Sequence, residues 1–441
     1  MSVAVELAHG FDPVEIEGVV ASVSGLGVEV KDRLGALTIG CRVEIETNER
    51  PLLAEVVGLG EGRSICLPFG GLRGVRRGAR VRFLKGGGTV RPSPAWLGRV
   101  VDALGRPIDG KGPLREGAQA LSLRASPAPA PLRARLGPRI DFGVKALSAF
   151  CPARAGQRLG VFSGSGVGKS ALMAMIARNT ECDAAVIALI GERGREVREF
   201  IEEDLGPEGL ARAVVVVATS DQPALLRREA GFLALTLAEH FRDEGAHVLC
   251  LMDSLTRFAM AQREIGLAAG EPPASKGYTP SVFAALPALL ERAGPSCDGD
   301  RPGYVTAVTT VLVEGDDHDE PIADAARAVL DGHIVLDRRI AERGRYPAVN
   351  ILKSISRAPA HAPVEETALA ARAKALAAAY DDMSELIRIG AYRAGSNEEV
   401  DRAIEFYPRL EAFLGQARDE RVCAADAFHA LETILEEADQ S

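Results

Sequence analysis

Long apolar runs are missing from this 441-residue chain. No segment approaches the roughly 20 residues a bilayer-spanning helix requires, so any work at a membrane would go through partners. The opening stretch MSVAVELAHGFDP has no basic region followed by an apolar one, which argues against a signal peptide. Cysteine is sparse. The seven residues (Cys41, Cys66, Cys151, Cys182, Cys250, Cys297, Cys423) are odd in number, scattered, and without a C-x-x-C pair. That pattern speaks against a disulfide framework or a zinc site and fits reduced thiols in a cytosolic enzyme. Positive charge is in deficit, with 52 Lys and Arg against 61 Asp and Glu and a net charge of −9, which argues against a dedicated nucleic-acid binder. Aromatic residues make up only 5%, with Trp96 the single tryptophan. The remainder is ordinary for a soluble globular protein of two or three domains: 47% hydrophobic and 26% charged.

The most informative stretch is Leu159 to Leu172, LGVFSGSGVGKSAL, which reads as strand, glycine-rich turn and first helical turn. Gly164, Gly166 and Gly168 lack Cβ atoms, so backbone N–H groups there, with those of Ser165, Val167 and Ala171 beside them, can close around an anion at a helix N-terminus. Lys169 adds a point charge toward the outer phosphates, and the Ser170 hydroxyl is placed to ligate Mg²⁺. The spacing departs from G-x-x-x-x-G-K-[ST] at its first glycine, which is Ser163 here. A plain glycine-rich turn would not need the Lys and Ser at its end. The stretch predicts a nucleotide site.

Around it the chain changes character several times. Residues 1–13 read as a tail. From Val14 to Lys85, short alternating runs (VEIEGVV, RVEIET, LLAEVVG, RVRFL) broken by glycine predict a small β-barrel or sandwich. Leu72 to Lys85 carries six basic residues, either a charged barrel edge or a contact surface for a partner or an anionic membrane. Arg91 to Arg139 is rich in proline and glycine and reads as an extended surface linker, with Trp96 packed on a domain. From Ile140 to about Arg357, apolar runs such as AAVIALI, AVVVVA, HVLCLM and YVTAVTTVLV alternate with helical patterns, one of them over Pro223–Arg242. Such runs suit a parallel sheet buried on both faces, a doubly wound α/β domain. After Pro363 the chain is Ala-rich with helical spacing, predicting a compact helical domain.

Other residues qualify as chemistry. Asp253 ends the strand HVLCLM, where Mg²⁺ needs an anionic or water-mediated contact, although an acid there also suits a helix N-cap. Glu192 comes after AAVIALI, and loops at the carboxyl ends of parallel strands line the ligand crevice, so a carboxylate there can orient an attacking water. Arg193 beside it can hold the γ-phosphate, while surface ion pairs at helix spacing are the alternative for this segment. Tyr346 is a candidate for stacking on adenine, or a packed aromatic. Arg357 is a candidate for an arginine supplied to a neighbouring subunit, which spacing alone does not rank above Arg338, Arg339, Arg343 or Arg345. The acidic run Glu314–Glu320 reads as a solvated edge rather than a metal site.

Taken together, GSGVGKS, LIGERGREV, CLMDSLTRFAMAQREIG, GEPPASKGYTPSVFAALPALLERAG, VEGDDHDEPIAD and GHIVLDRR…RYPAV…SISR resemble the flagellum-specific export ATPases. These and their virulence-secretion counterparts are related to the catalytic β subunit of rotary ATP synthases. The resemblance runs from Val14 onward. It implies a RecA-like P-loop ATPase core with an N-terminal small β-barrel and a C-terminal helical domain. The corresponding division is a tail over 1–13, a barrel over 14–90, an ATPase domain with a proline-rich lead-in over 91–362, and helices over 363–441. It further implies ATP and Mg²⁺ at the site. Gly164 to Ala171 and Tyr346 would hold the nucleotide, and Ser170 and, through water, Asp253 would hold the metal. Lys169, Glu192, Arg193 and a neighbour-directed Arg357 would serve catalysis.

The implied setting is a homohexamer at the cytoplasmic face of the inner membrane. Its implied partners are a stator-like regulatory protein, a stalk-like central protein, an export gate membrane protein, and chaperone–substrate complexes. The short tail leaves open where the regulatory protein docks. Competing readings are an injectisome ATPase, a rotary synthase catalytic subunit, a hexameric RNA translocase and a non-hydrolysing nucleotide-binding subunit. The RNA reading wants exposed aromatics among the basic residues, and only Phe69 and Phe83 lie near them. Glu192 speaks against the last.

Overall fold

The computed structural model describes residues 17–32, 35–84, 88–297, 302–313, 320–357 and 363–440. The tail over 1–13, the start of the first expected strand, and the acidic run as far as Asp319 lie outside the described residues.

Six strands close into a barrel: β1 (Glu17–Ser24), β2 (Gly27–Lys31), β3 (Arg42–Ile45), β4 (Leu52–Gly60), β5 (Arg63–Pro68) and β6 (Arg80–Leu84), in the order β1-β2-β5-β4-β3-β6. Closure comes from β1 pairing antiparallel with β6, which leaves no open edge. Alternation points Val20, Val28, Val30, Val43, Ile45, Val56 and Val81 into a common interior. Two of the six strands, β2 and β5, lie outside the alternating runs that stand out in the sequence.

The core is a nine-stranded sheet. Its main path uses β7 (Arg99–Asp102), β8 (Arg158–Ser163), β9 (Ala184–Ile190), β10 (Ala213–Ala218), β11 (His247–Asp253), β12 (Tyr304–Leu312), β13 (Gly332–Leu336) and β14 (Ile355–Ser356), in the order β14-β13-β8-β12-β11-β9-β10-β7, with Gly294–Pro295 paired onto β12. The strands from β13 across to β7 run parallel, and β14 returns antiparallel along β13. Every residue of β9 and β10 is buried, as expected for strands covered on both faces. Helices α1 (Lys169–Asn179), α2 (Gly194–Glu199), α3 (Ala224–Asp243), α4 (Leu255–Ala268) and α5 (Pro280–Leu290) succeed the strands.

The segment read as a linker contributes structure to the core. Arg99–Asp102 adds β7 to the sheet in register with Val214–Val217, and Trp96 is buried beneath it. The strand is held by Arg99, whose guanidinium meets the Asp109 carboxylate at 2.7 and 2.9 Å.

Three helices complete the chain: α6 (Val364–Arg388), α7 (Glu398–Leu414) and α8 (Ala424–Gln440). Asn397 caps α7 by accepting from the Glu399 and Val400 amides. Tyr380 of α6 stacks on Tyr407 of α7 with centroids 3.9 Å apart. Among the described residues no helix is long and apolar enough to cross a membrane.

Candidate functional site

The carboxyl ends of β8, β9, β11 and β12 converge, and the site is built there. Ser163 is the last residue of β8, fully buried and paired on both sides with Leu312 and Leu336. It is an ordinary strand position, so it needs no glycine, which accounts for the departure from the usual spacing. The turn Gly164–Gly168 then leads into α1. Val167 is buried under it, while Ser165, Gly166 and Ser170 face outward, with Ala171 half-buried. Gly168 occupies the N-cap with φ of 91°, a left-handed conformation costly for any residue with a side chain. A Cβ there would also stand 3.2 Å from the Tyr346 ring.

Lys169 reaches across to two carboxylates. Its Nζ lies 2.6 Å from Asp253 Oδ1 and 3.2 Å from Glu192 Oε1. Burial works against the ammonium, but Asp253 and Glu192 outweigh it and hold its pKa above the ordinary lysine value. For Glu192 the balance is reversed. Burial and then the charge of Asp253 push its carboxyl above the usual glutamate range, with Lys169 opposing. Asp253 also accepts from the Thr310 hydroxyl of β12 at 2.6 Å, so its orientation is fixed from a neighbouring strand. The helix after Asp253 is capped by Ser254, whose side chain accepts from the Arg257 amide, so Asp253 is not that cap. Gly191, immediately before Glu192, has φ of 72°, and a Cβ there would meet Arg257 at 2.9 Å. Glu192 is thus presented by a turn that only glycine fits.

Tyr346 lies against the P-loop and is 46% exposed, leaving a ring face available. Its neighbour Arg345 is buried, bonding Glu411 Oε2 of α7 at 3.0 Å and the Pro347 and Val349 carbonyls at 2.9 and 3.0 Å. The Gln416 amide donates to the Tyr346 carbonyl at 2.9 Å, so the helical domain fastens this loop as well.

The remaining arginines separate by position. Arg193 points outward and pairs with Glu196 at 3.0 Å. Arg338 donates to the Ser165 carbonyl of its own P-loop at 3.2 Å. Arg345 is consumed by its loop. Arg357 is exposed at the end of β14, its amide bonded to the Asp331 carbonyl at 2.9 Å. That places it beside the amino end of β13, the opposite end of the sheet from the P-loop, roughly 20 Å along the strands at about 3.3 Å per residue.

Ser170, Glu192 and Asp253 line a cleft of about 240 Å³. The Gly-rich turn, the outward Ser170 and the strand-end Asp253 are a donor set that fits a triphosphate with a hard divalent cation. Two contributors carry no signal in the sequence. Thr310 is one, since an isolated Thr in an apolar strand gives no hint of its cross-strand partner. Arg418, which also lines the cleft, is the other.

Residues 143–356 match the family model for the ATP synthase alpha/beta family, nucleotide-binding domain, and residues 20–85 match its beta-barrel domain. Residues 362–433 match the T3SS EscN ATPase C-terminal domain. The class is therefore defined: this is a P-loop ATPase, an ATP hydrolase, and the chain belongs to the ATP synthase alpha/beta family. Within that family its relatives are flagellar and type III secretion ATPases. The chain is 56% identical over 430 residues to the flagellum-specific ATP synthase of Caulobacter vibrioides, covering 96% of this chain and 97% of that protein. Among solved structures, the assembled ATPase EscN of the enteropathogenic E. coli type III secretion system superposes with a TM-score of 0.89 at 39% identity, over 95% of this chain and all of that one. EscN in complex with its central stalk EscO superposes with a TM-score of 0.85 at 38% identity, again over 95% and 100%.

Proposed function

We propose that this chain hydrolyses Mg-ATP as a homohexamer, at sites shared between neighbouring protomers, and so energises protein export through a flagellar type III apparatus. Gly164 to Ala171 cradle the phosphates through backbone N–H groups, and Tyr346 stacks on the base. Ser170 and, through water, Asp253 would hold the magnesium ion, which when bound neutralises charge on the outer phosphates. Lys169 exchanges its carboxylate partners for phosphate oxygens. Glu192, relieved of that ammonium, accepts a hydrogen bond from water and aims it at the γ-phosphorus. Arg193 swings from Glu196 to the γ-phosphate. Arg357 of one protomer serves the pocket of the next.

The observation that carries the shared-site reading is the distance of Arg357 from its own P-loop, at the opposite end of the sheet. An exposed arginine so placed has no route to its own nucleotide, whereas a ring would bring it to a neighbour's. The flagellar branch is favoured by the 56% identity to a flagellum-specific relative over nearly the whole chain. A stalk-like partner is favoured by the likeness to EscN bound to EscO. The regulatory, export-gate and chaperone partners, and a place at the cytoplasmic face of the inner membrane, come from the same family reading. The RNA-translocase alternative loses its aromatics, since Phe69 is buried against the core and Phe83 packs on the barrel interior.

Mixing tests the shared site. Arg357→Ala and Lys169→Ala should each be nearly inactive alone, the arginine contributing about 10³–10⁵ in rate. Mixed rings should regain activity wherever an intact pocket meets an intact arginine. If mixtures that demonstrably co-assemble stay as inactive as the separate variants, the shared site is wrong.

A further inference from the structure

We propose that Arg418 is a positioning residue for ATP hydrolysis. Clamped on Asp204, its guanidinium lets the C-terminal helical domain set where α2, the helix that follows the Glu192 turn, sits against the catalytic cleft. The inference rests on Glu192 being the carboxylate that orients water.

Arg418 belongs to the loop between α7 and α8, and that loop is fastened to the core on several sides. Gln416 Nε2 donates to the Gly143 carbonyl at 2.8 Å, and its Oε1 accepts the Lys145 amide at 2.8 Å. The Ala424 amide donates to Asp141 Oδ2 at 2.6 Å. Arg421 pairs with Glu181 at 2.6 Å, just past the C-terminal end of α1. Arg178, in the last turn of α1, donates to the carbonyl of Arg418 itself. The backbone of residue 418 is therefore held against the helix whose other end is the P-loop.

From this fixed base the guanidinium pairs with Asp204. Asp204 lies in Phe200–Leu205, a π-helical turn that continues α2 without interruption from the Glu192 loop. A wider turn carries an extra residue and re-aims the side chains beyond it, and such turns recur at functional sites. Here Phe200, Asp204 and Leu205 face inward while Glu202 and Glu203 face solvent. Asp204 is only 5% exposed, so its charge needs a partner.

The cleft makes this pairing more than a surface ion pair. Its lining includes six carboxylates, Glu192, Glu196, Glu199, Glu203, Asp204 and Asp253, and among its described lining residues Arg418 is the one cation. Removing the guanidinium leaves Asp204 buried without its partner, while Lys169, Arg193 and Arg195 stay on Glu192, Asp253, Glu196 and Glu199. The π turn would then retreat, and α2 would take Glu192 with it. Nucleotide grip, which depends on the P-loop and Tyr346, would be untouched.

The test is steady-state ATPase activity of the assembled full-length chain. Arg418→Ala and Asp204→Asn are measured with Arg418→Lys, with Arg421→Ala as a control in the same loop, and with Glu192→Gln. Assembly and the thermal unfolding midpoint are monitored alongside. A 1 Å misplacement can cost about a hundredfold, so Arg418→Ala and Asp204→Asn should lower kcat by about ten- to a hundredfold. KM for ATP should stay within about twofold, a split that marks loss of an effect confined to the transition state. Arg418→Lys should recover part of the rate, and Arg421→Ala should match the parent. Unchanged kcat in Arg418→Ala beside an inactive Glu192→Gln overturns the clamp alone. An equal loss in Arg421→Ala, or a loss tracking unfolding or failed assembly, also overturns it. An active Glu192→Gln overturns the reading of Glu192 itself.

Discussion

At the scale of single residues the site is an ammonium held between two carboxylates. Lys169 bridges Asp253 and Glu192, and the charge of Asp253 presses on Glu192. Because burial and Asp253 raise the pKa of Glu192, its proton is lost at higher pH than an ordinary glutamate would lose it. The carboxylate is the form that can polarise water, so kcat/KM, which reports groups of the free enzyme, should rise with pH through an acid limb lying above the usual glutamate range. Glu192→Gln should remove that limb and lower kcat by about 10²–10⁴ while nucleotide binding persists. A kcat/KM–pH profile of parent and variant, with titration of a fluorescent ATP analogue, checks both. Parent-like turnover in the variant would remove Glu192 from its role. The same shift acts on stability in a defined direction. The folded state favours protonated Glu192 more than the unfolded state does, so this group's contribution falls as pH rises from the ordinary value through the raised one.

At the scale of elements, strands deliver the chemistry and loops from elsewhere hold it in place. Lys169 was legible from the glycine-rich turn and its Gly-Lys-Ser end, and Glu192 and Asp253 as candidates because each comes after an apolar run that reads as a buried strand, and parallel strands gather their carboxyl ends. Arg99–Asp102 was not, since four residues among prolines and glycines become a strand only through pairing with the distant Val214–Val217. The strands β2 and β5 stood out less because they are short: GVEVK alternates over five residues only, and RSICLP does not alternate at all, so pairing within the closed barrel defines them. The Tyr346 loop shows the same dependence on distant contacts. The sequence offered Tyr346 as a candidate for stacking on adenine or as a packed aromatic, but gave no sign of what holds its loop: Arg345, bonded to Glu411 of α7 and to two carbonyls of its own loop. Arg345→Ala frees that loop and leaves its carbonyls without donors. KM for ATP should rise about tenfold, equivalent to about 1.4 kcal/mol, with kcat at saturation changed far less. An initial-rate series over ATP concentration distinguishes this from a catalytic defect, in which kcat would fall and KM stay.

At the scale of the whole molecule, the barrel is tied to the core by buried charge as well as apolar contact. Leu67 and Phe69 of the barrel segment pack on Leu225 and Ile265. Beside them Arg228 of α3 meets Glu55 of β4 at 2.6 Å and Glu229 at 3.0 Å, all three buried. Arg42 of β3 and Arg124 approach Glu229 from two further sides, and Arg124 also lies over the Phe232 ring. Burial opposes the charge on Glu229, but Arg124, Arg228 and Arg42 together hold its pKa below the ordinary value. Desolvation makes such a network a modest source of net stability while it is intact, yet removing one member strands the others. Arg228→Ala leaves the buried Glu55 without its cation and beside Glu229, which keeps Arg42 and Arg124, at a cost of about 3–5 kcal/mol. The loss should fall on the barrel–core junction and spare the nucleotide site. Hydrogen exchange should accelerate in Leu52–Gly60 and in α3, while protection of β8, β9 and β11 remains. Urea unfolding of the variant should show an early transition, because the junction couples the barrel to the rest. A single transition at the parent's midpoint would mean that apolar packing alone holds the barrel, and that the buried charges contribute no net coupling.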